Sequence, residues 1–390
     1  MSAPAITLFS LNQRDADLGV RERLARSLSA AGGPDRLVLL TCHRAEILVA
    51  DGLEQDALAV RLGTDLPPAG HLRRGRDAVR QLLRVVCGLD SAIRGEAQIL
   101  GQLRRAFDTA RDAGDGLHPA LALVIRRALE VGRELRRTTP LGSVRRTLGS
   151  LAVDAALEGV PDPTNATVLV IGAGEVGKLA LRALGARTGA VILANRDAER
   201  AEAVAAEHGA RAVPLERIDD ALAQAAVVIA AADTRGAVLT PARLTARLAN
   251  GPLTIIDLAV PRSVPPEARA LDGLRYVDVD ALAAGAGTEL DDAALADIEA
   301  RCDEAADAIM RELRAREAVP AISALRDRAE AIRTAHLARA LARLQHLPER
   351  DRRVVESLSE ALAHALIHEP TVRLRESPER EASARDLFKL

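Results

Sequence analysis

The chain has 390 residues, 48% hydrophobic and 28% charged, too long for one ordinary core and too apolar for a disordered chain, so two or three globular domains are expected. A formal net charge of -2 excludes a chain-wide polyanion surface and leaves local patches, such as the arginines of residues 126–146 against the acids of 290–304. Three cysteines without paired spacing argue against disulfides and structural zinc, the lack of a signal peptide or long apolar span points to a cytoplasmic, membrane-free setting, and one Tyr, three Phe and no Trp leave little for base stacking.

Residues 5–11 (AITLFSL) read as a strand, and 18–31 place Val20, Leu24 and Leu28 at helical spacing. Strands are expected again at 37–41 and 45–50, giving a β-α-β-β opening of α+β type. The junction of these two strands is spanned by TCHRAE, residues 41–46. A cysteine at a strand end is ordinarily a small buried hydrophobe. Here His43 and Arg44 make the surroundings of Cys42 electropositive, which favours thiolate, while Thr41 and Glu46 add polar groups that a packed thiol does not need.

From 76 to 158 the pattern is helical, interrupted by GDG (114–116) and TPLG (139–142). The loop PDPTN (161–165) then precedes TVLVIGAGEVGKLALRAL. In it a β-branched strand runs through Gly172, Ala173, Gly174, Glu175, Val176 and Gly177 into a helix, the context in which GxGxxG signals a dinucleotide pyrophosphate at a helix N-terminus. A glycine turn serving helix–sheet packing alone is the alternative. Buried-strand runs (VILAN, AAVVIAAA, LTIIDLAV) alternate with helical segments to about 285, as in a doubly wound parallel sheet. The second strand ends in Asn195 and Arg196 rather than an acid, which suits the 2′-phosphate of NADPH; a solvated loop charge is the other reading of Arg196. From 288 the chain is charged and helical, punctuated by Pro320 and Pro348. Leu325, Ile332, Leu337 and Leu341 suit a helical dimer interface, or equally an internally satisfied bundle.

A thiolate and a hydride donor in one chain suggest thioester reduction. In order and spacing, TCHRAE, GLDSAIRGEAQILGQLRRAF (88–107), VIGAGEVGKLA, IIDLAVPRSV (255–264) and EPTVRLRES (369–377) resemble the glutamyl-tRNA reductase family over essentially the whole chain. The resemblance implies a multidomain α/β protein: an N-terminal catalytic, glutamyl-tRNA-binding domain over 1–145, an NADPH-binding Rossmann domain over 146–287, and a spinal helix with a helical dimerisation domain over 288–390. It implies NADPH-dependent reduction of glutamyl-tRNA(Glu) to glutamate-1-semialdehyde, the first step of tetrapyrrole synthesis through 5-aminolevulinate to haem. Cys42 would be the nucleophile that carries glutamate as a thioester. Arg44 would hold the substrate's free carboxylate, and Thr41, His43, Ser91, Glu96, Ala97, Gln98 and Gln102 would line the same pocket, with Glu96 suited to the α-ammonium and 91, 98 and 102 near one helix face. A homodimer is implied, glutamate-1-semialdehyde aminomutase is a candidate partner, and arginines of 126–146 would meet tRNA phosphates unless they form only a solvated face.

The chain departs from the family pattern around this pocket. His43 replaces an asparagine, Gln81 and Gln13 replace histidines, and Asp17 replaces a proline. Gln81 can hydrogen-bond but cannot titrate. His43 either assists thiolate formation or the leaving hydroxyl, or only fills the place of asparagine. A catalytically impaired relative that binds tRNA or NADPH without turnover is therefore the competing reading, and an NADPH dehydrogenase of a free small molecule would leave Cys42 and the 88–102 block idle.

Overall fold

The computed structural model describes residues 6–28, 33–41, 43–91, 93–113, 116–232, 237–285, 289–377 and 380–390. Cys42 and residues 114 and 115 of the GDG segment lie outside them.

The chain opens with β1 (Ile6–Asn12), α1 (Leu18–Leu28), β2 (Arg36–Leu40), β3 (Arg44–Ala50), α2 (Gln55–Leu62) and β4 (His71–Arg74). These strands form an antiparallel sheet in the order β2-β3-β1-β4. Strand alternation sends Phe9, Leu11, Ala45, Ile47 and Val49 to a core with α1 and α2, and Ile6, Leu8, Leu37, Leu39 and Leu48 to the larger core on the opposite face. Ser10, Arg44 and Glu46 belong to that second face by the same alternation, with Ser10 paired to Glu46 across the β1/β3 ladder. Helices α3 (Gly75–Cys87), α4 (Gln98–Asp112) and α5 (Pro119–Thr138) cover it. TPLG falls on a 3-10 turn, Pro140–Ser143.

Helix α6 (Leu148–Leu157) leads into the second sheet and packs on it. There β5 (Thr167–Ile171), α7 (Glu175–Leu184), β6 (Ala190–Asn195), α8 (Ala198–His208), β7 (Arg211–Pro214), α9 (Ile218–Gln224), β8 (Val227–Ala230), α10 (Pro241–Leu248), β9 (Leu253–Asp257), β10 (Leu274–Asp278) and α11 (Val279–Ala284) follow. The strands run in the order β10-β9-β8-β5-β6-β7, all parallel. Val168 and Val170 face one core, and Leu169 and Ile171 face the other, as a doubly wound sheet requires.

The remainder is α12 (Asp292–Arg343), α13 (Glu349–Glu376) and α14 (Glu381–Phe388). Pro348 caps α13, but Pro320 does not punctuate the chain: α12 passes through it for 52 residues. Pro320 is exposed, so water can take the carbonyl that loses its helical partner. The first part of α12 lays Ile298, Cys302, Ala306, Ile309 and Leu313 into the N-terminal core. Beside that seam Arg76, Arg80 and Arg84 of α3 meet Asp307, Asp303 and Glu299 in an antiparallel ladder. Farther along, Leu325 is buried within the chain with Ile322, Leu374 and Ala384, whereas Ile332 is 53% exposed. The wider apolar stripe is one not singled out from the sequence: Val354, Leu358, Leu362 and Leu366, four residues apart and exposed on α13.

Where α6 crosses α7, a Cβ on Gly149 would come within 2.5 Å of the Leu179 carbonyl carbon and 2.7 Å of the Ala180 nitrogen. Alanine ordinarily improves a helix by about 1 kcal/mol. Here backbone blocks it, so Gly149→Ala should destabilise by about 1 to 3 kcal/mol, measured as a lower thermal midpoint.

Candidate active site

The β2/β3 connection is drawn tight by its own backbone. The Thr41 N–H donates to the Arg44 carbonyl (2.9 Å), the His43 N–H to Thr41 Oγ1 (3.3 Å), and the Gln13 N–H to the His43 carbonyl (3.0 Å). Arg44 is only 3% exposed; its Nη1 donates to Glu46 Oε1 at 3.0 Å, and the Ser10 hydroxyl donates to the other carboxylate oxygen. Burial pushes the Glu46 carboxyl up, opposed by Arg44 and Ser10. Arg44 Nη2 is buried with no partner among the described residues, as is the side-chain oxygen of Gln13. A charged donor group is thus left open beside the connection that contains Cys42.

His43 is 6% exposed, and both ring nitrogens are buried without partners among the described residues. Burial, helped by Arg21 and Arg44, pushes its pKa down to about 3. The expectation that His43 adds positive charge is therefore corrected: the ring is neutral at physiological pH, and Arg44 and Arg21 carry the charge.

Ser91 does not share a helix face with Gln98 and Gln102. It lies in the loop between α3 and α4, where Gly88 and Gly95 take positive φ, and α4 begins only at Gln98, after Ala97. Glu96 in this loop is 5% exposed and accepts a long bond from the Leu148 N–H of α6 (3.5 Å). Burial raises its pKa to about 7, with Leu148, Arg136 and Arg44 pulling the other way. The Nη atoms of Arg136 donate to the Gly95 and Glu96 carbonyls at 2.8 and 2.6 Å, fixing the loop to α5. Gln98 Nε2 is buried and unpartnered among the described residues. Gln81 donates to Asp90 Oδ2 at 2.6 Å, and Arg84 holds the other oxygen at 2.8 Å. Burial alone would raise Asp90, but Arg84 and Gln81 hold it below the ordinary carboxylate range. Arg136 and Asp90 were not singled out from the sequence. Arg136 had a signal, since it follows the buried Gly132 and Leu135 at helical spacing.

Gln102 lines a cleft of about 750 Å³ between β2, α4 and the glycine loop, bordered there by Gly174, Glu175 and Val176. Arg105 and Glu175 approach to 3.9 Å across it. Beyond lies a second cavity, about 550 Å³, lined by Gly172, Ala173, Gly174, Asn195, Arg196 and Arg200 among others. Gly172 has φ of 107°, and a Cβ on Gly177 would sit 1.9 Å from the Gly172 carbonyl oxygen, whereas one on Gly174 would meet open space. These are the tight turn, the close helix–strand packing and the open approach that a pyrophosphate needs, so the residues fit a dinucleotide. Asn195 Oδ1 accepts from the Ala173 N–H (3.2 Å), tying β6 to the loop. Asp197 caps α8 by accepting from the Arg200 N–H (3.0 Å), which leaves exposed Arg196 as the charged group at the strand end.

Residues 9–139 match the family described as Glutamyl-tRNAGlu reductase, N-terminal domain, and 297–390 match its dimerisation domain; 154–284 match Shikimate / quinate 5-dehydrogenase. The chain is 35% identical to the glutamyl-tRNA reductase of Roseiflexus castenholzii, over 95% of this chain and 93% of that protein. It is 33% identical to that of Syntrophotalea carbinolica, over 93% and 88%. Its fold is similar to glutamyl-tRNA reductase from Methanopyrus kandleri, with a TM-score of 0.52 and 27% identity over 98% of each chain. The nucleotide-binding domain is of the nicotinamide-dependent dehydrogenase type.

Glu96 offers a pH test. Because its pKa of about 7 exceeds the ordinary 4.5, the folded chain retains a proton there that the unfolded chain has lost. Stability therefore falls as pH rises through that window and levels off above it. Glu96→Gln should remove this contribution, losing less stability than wild type between about pH 5 and 7, by up to roughly 3 kcal/mol at about 1.4 kcal/mol per unit. Urea unfolding at matched pH values measures the difference, and equal pH slopes would count against it.

Proposed function

Since the chain belongs to the glutamyl-tRNA reductase family, we propose that it reduces the glutamyl ester of charged tRNA(Glu) to glutamate-1-semialdehyde through a thioester on Cys42, drawing on NADPH, at the head of tetrapyrrole synthesis. The observation that carries this reading is Arg44: a buried guanidinium, two residues along from Cys42, with one terminal nitrogen open to a ligand. Such a donor needs a hydrogen-bond acceptor, and a carboxylate oxygen is among the strongest it can take.

In this mechanism the Cys42 sulfur attacks the ester carbonyl, the bond to the ribose oxygen breaks, and tRNA leaves with the proton that the thiol gave up. Arg44 holds the substrate's free carboxylate and so orients the reacting carbon. Glu96, ionised above about pH 7, accepts from the α-ammonium. His43 is too weak a base to carry the thiol proton, and its role is a hydrogen bond from an uncharged ring. Arg44, two residues along from Cys42, then supplies the positive charge proposed to favour thiolate. Gly174, Asn195 and Arg196 would hold NADPH, which would supply the hydride that reduces the thioester to the aldehyde as the thiolate leaves. Thr41, Ser91, Ala97, Gln98 and Gln102 complete the substrate pocket. The α13 stripe of Val354 to Leu366 is assigned to the homodimer, the compartment to the cytoplasm, and the aminomutase to capture of the reactive product; among the described residues no helix is long and apolar enough to cross a membrane.

A single-turnover assay with charged tRNA and NADPH tests the chemistry. Wild type should form a glutamyl-protein thioester and release semialdehyde, and Cys42→Ser should do neither while binding tRNA almost unchanged. Semialdehyde from the serine variant at the wild-type rate would remove the mechanism, and tRNA binding by wild type with no thioester would leave only the non-catalytic relative.

Cofactor choice is read separately. Arg196→Ala should raise KM for NADPH by roughly tenfold, as loss of about 1.5 kcal/mol of charged hydrogen bonding requires, with NADH kinetics barely moved. Equal effects on both cofactors would shift Arg196 to a general role.

A further inference from the structure

The arginine run 126–146 divides once its partners are known. Arg127 is taken by Glu130 and Glu312, each at 2.8 Å, and Arg136 by the carbonyls of the Glu96 loop. Arg126, Arg133 and Arg137 are exposed, and none has a carboxylate partner among the described residues. At 100° per residue, these three fall within about 40° of one another, a single stripe roughly 16 Å long on the open face of α5. The acids near it are neutralised: Glu130 by Arg127, and Glu134 by Arg301 at 4.0 Å.

We infer that this stripe is a docking surface for the phosphodiester backbone of the tRNA, an inference that rests on the function proposed above. Guanidiniums in a row without salt-bridge partners among the described residues match a row of phosphates, and binding would release counterions; Glu312, within electrostatic reach of Arg126, is itself held by Arg127. The stripe also leads somewhere. Arg137 adjoins Arg136, which fixes the loop bearing Glu96, so an RNA strand lying along α5 runs to the substrate pocket. With one Tyr, three Phe and no Trp in the chain, contact through phosphates rather than stacked bases suits the composition. The stripe positions the acceptor arm and reads no sequence.

The test uses full-length protein and charged tRNA in a binding titration across salt concentrations. The triple variant Arg126→Ala, Arg133→Ala, Arg137→Ala should bind roughly tenfold or more weakly near physiological salt, with the slope of log K against log salt shallower by about 2 to 3. Its affinity for NADPH and its thermal midpoint should match wild type, since the three side chains are exposed and lie outside the cofactor domain. Arg111→Ala, which removes an exposed arginine already paired with Asp108 and Asp112, should leave tRNA binding within about twofold. A triple variant with wild-type affinity and salt slope would overturn the stripe alone. Wild type that binds no charged tRNA would overturn the stripe together with the proposed function.

Discussion

A guanidinium cannot be buried without compensation, and the site follows from how Arg44 is compensated. Taking such an ion out of water costs several kcal/mol, which only paired and hydrogen-bonded partners offset. Glu46 stands two residues along the same strand and so on the same face, and the β1/β3 register brings Ser10 to its other oxygen. The pair is embedded in a four-stranded sheet between two cores, so its geometry is set by the backbone ladder rather than by loop side chains. Among the described residues that compensation stops one nitrogen short, and under the proposed function the substrate's free carboxylate would complete it.

The same economy of charge ties the anchor's surroundings to the rest of the molecule. Glu96 reaches Leu148 at the start of α6, the helix that leads into the cofactor sheet. From α1, Arg21 pairs with Asp280, and Glu22 accepts from the backbone and side chain of Arg262. The segment that carries Arg262 is pinned on both sides by Asp257, whose buried carboxylate accepts from the Ala259 and Val264 N–H groups and from the Tyr276 hydroxyl. Burial leaves Asp257 with a pKa of about 6 despite those bonds. Exposed ion pairs such as the α3/α12 ladder are individually weak. Laid along a seam that also buries Cys87 and Cys302, they set the register of one helix on the other.

Much of this was legible in the sequence because local rules and tertiary demands agree. The first strands and the glycine turn declare themselves by period and by punctuation, and the cofactor sheet by its apolar runs. The short β4, HLRR, has no alternation to read and exists because β1 offers a free edge. Pro320 reads as a break, yet an exposed carbonyl costs a helix little when water can reach it. Ser91 was placed on a helix because its neighbours have helical spacing, whereas Gly88 and Gly95 turn the backbone away before α4 begins. What no pattern discloses is partnership. Seven arginines between 126 and 146 look alike in sequence, and only packing separates the one that builds the pocket from those that face water.

Two of the four substitutions that set this chain apart from the family pattern, Gln81 and His43, have a common electrostatic effect. Gln81 gives its amide to Asp90, a carboxylate that Arg84 already neutralises, so no proton is needed or stored there. A histidine facing Asp90 would instead be drawn toward its charged form, adding a cation to a pocket that holds Arg44. His43 follows the same logic from the other side, since a buried ring near two guanidiniums cannot afford a proton at neutral pH. Burial pushes the Glu46 carboxyl up against the pull of Arg44 and Ser10, and Glu96, at about 7, changes charge near neutrality. Under the proposed mechanism the substrate's α-ammonium would draw Glu96 into its ionised form on binding. That ionisation would tie occupancy of the pocket to release of one proton from Glu96.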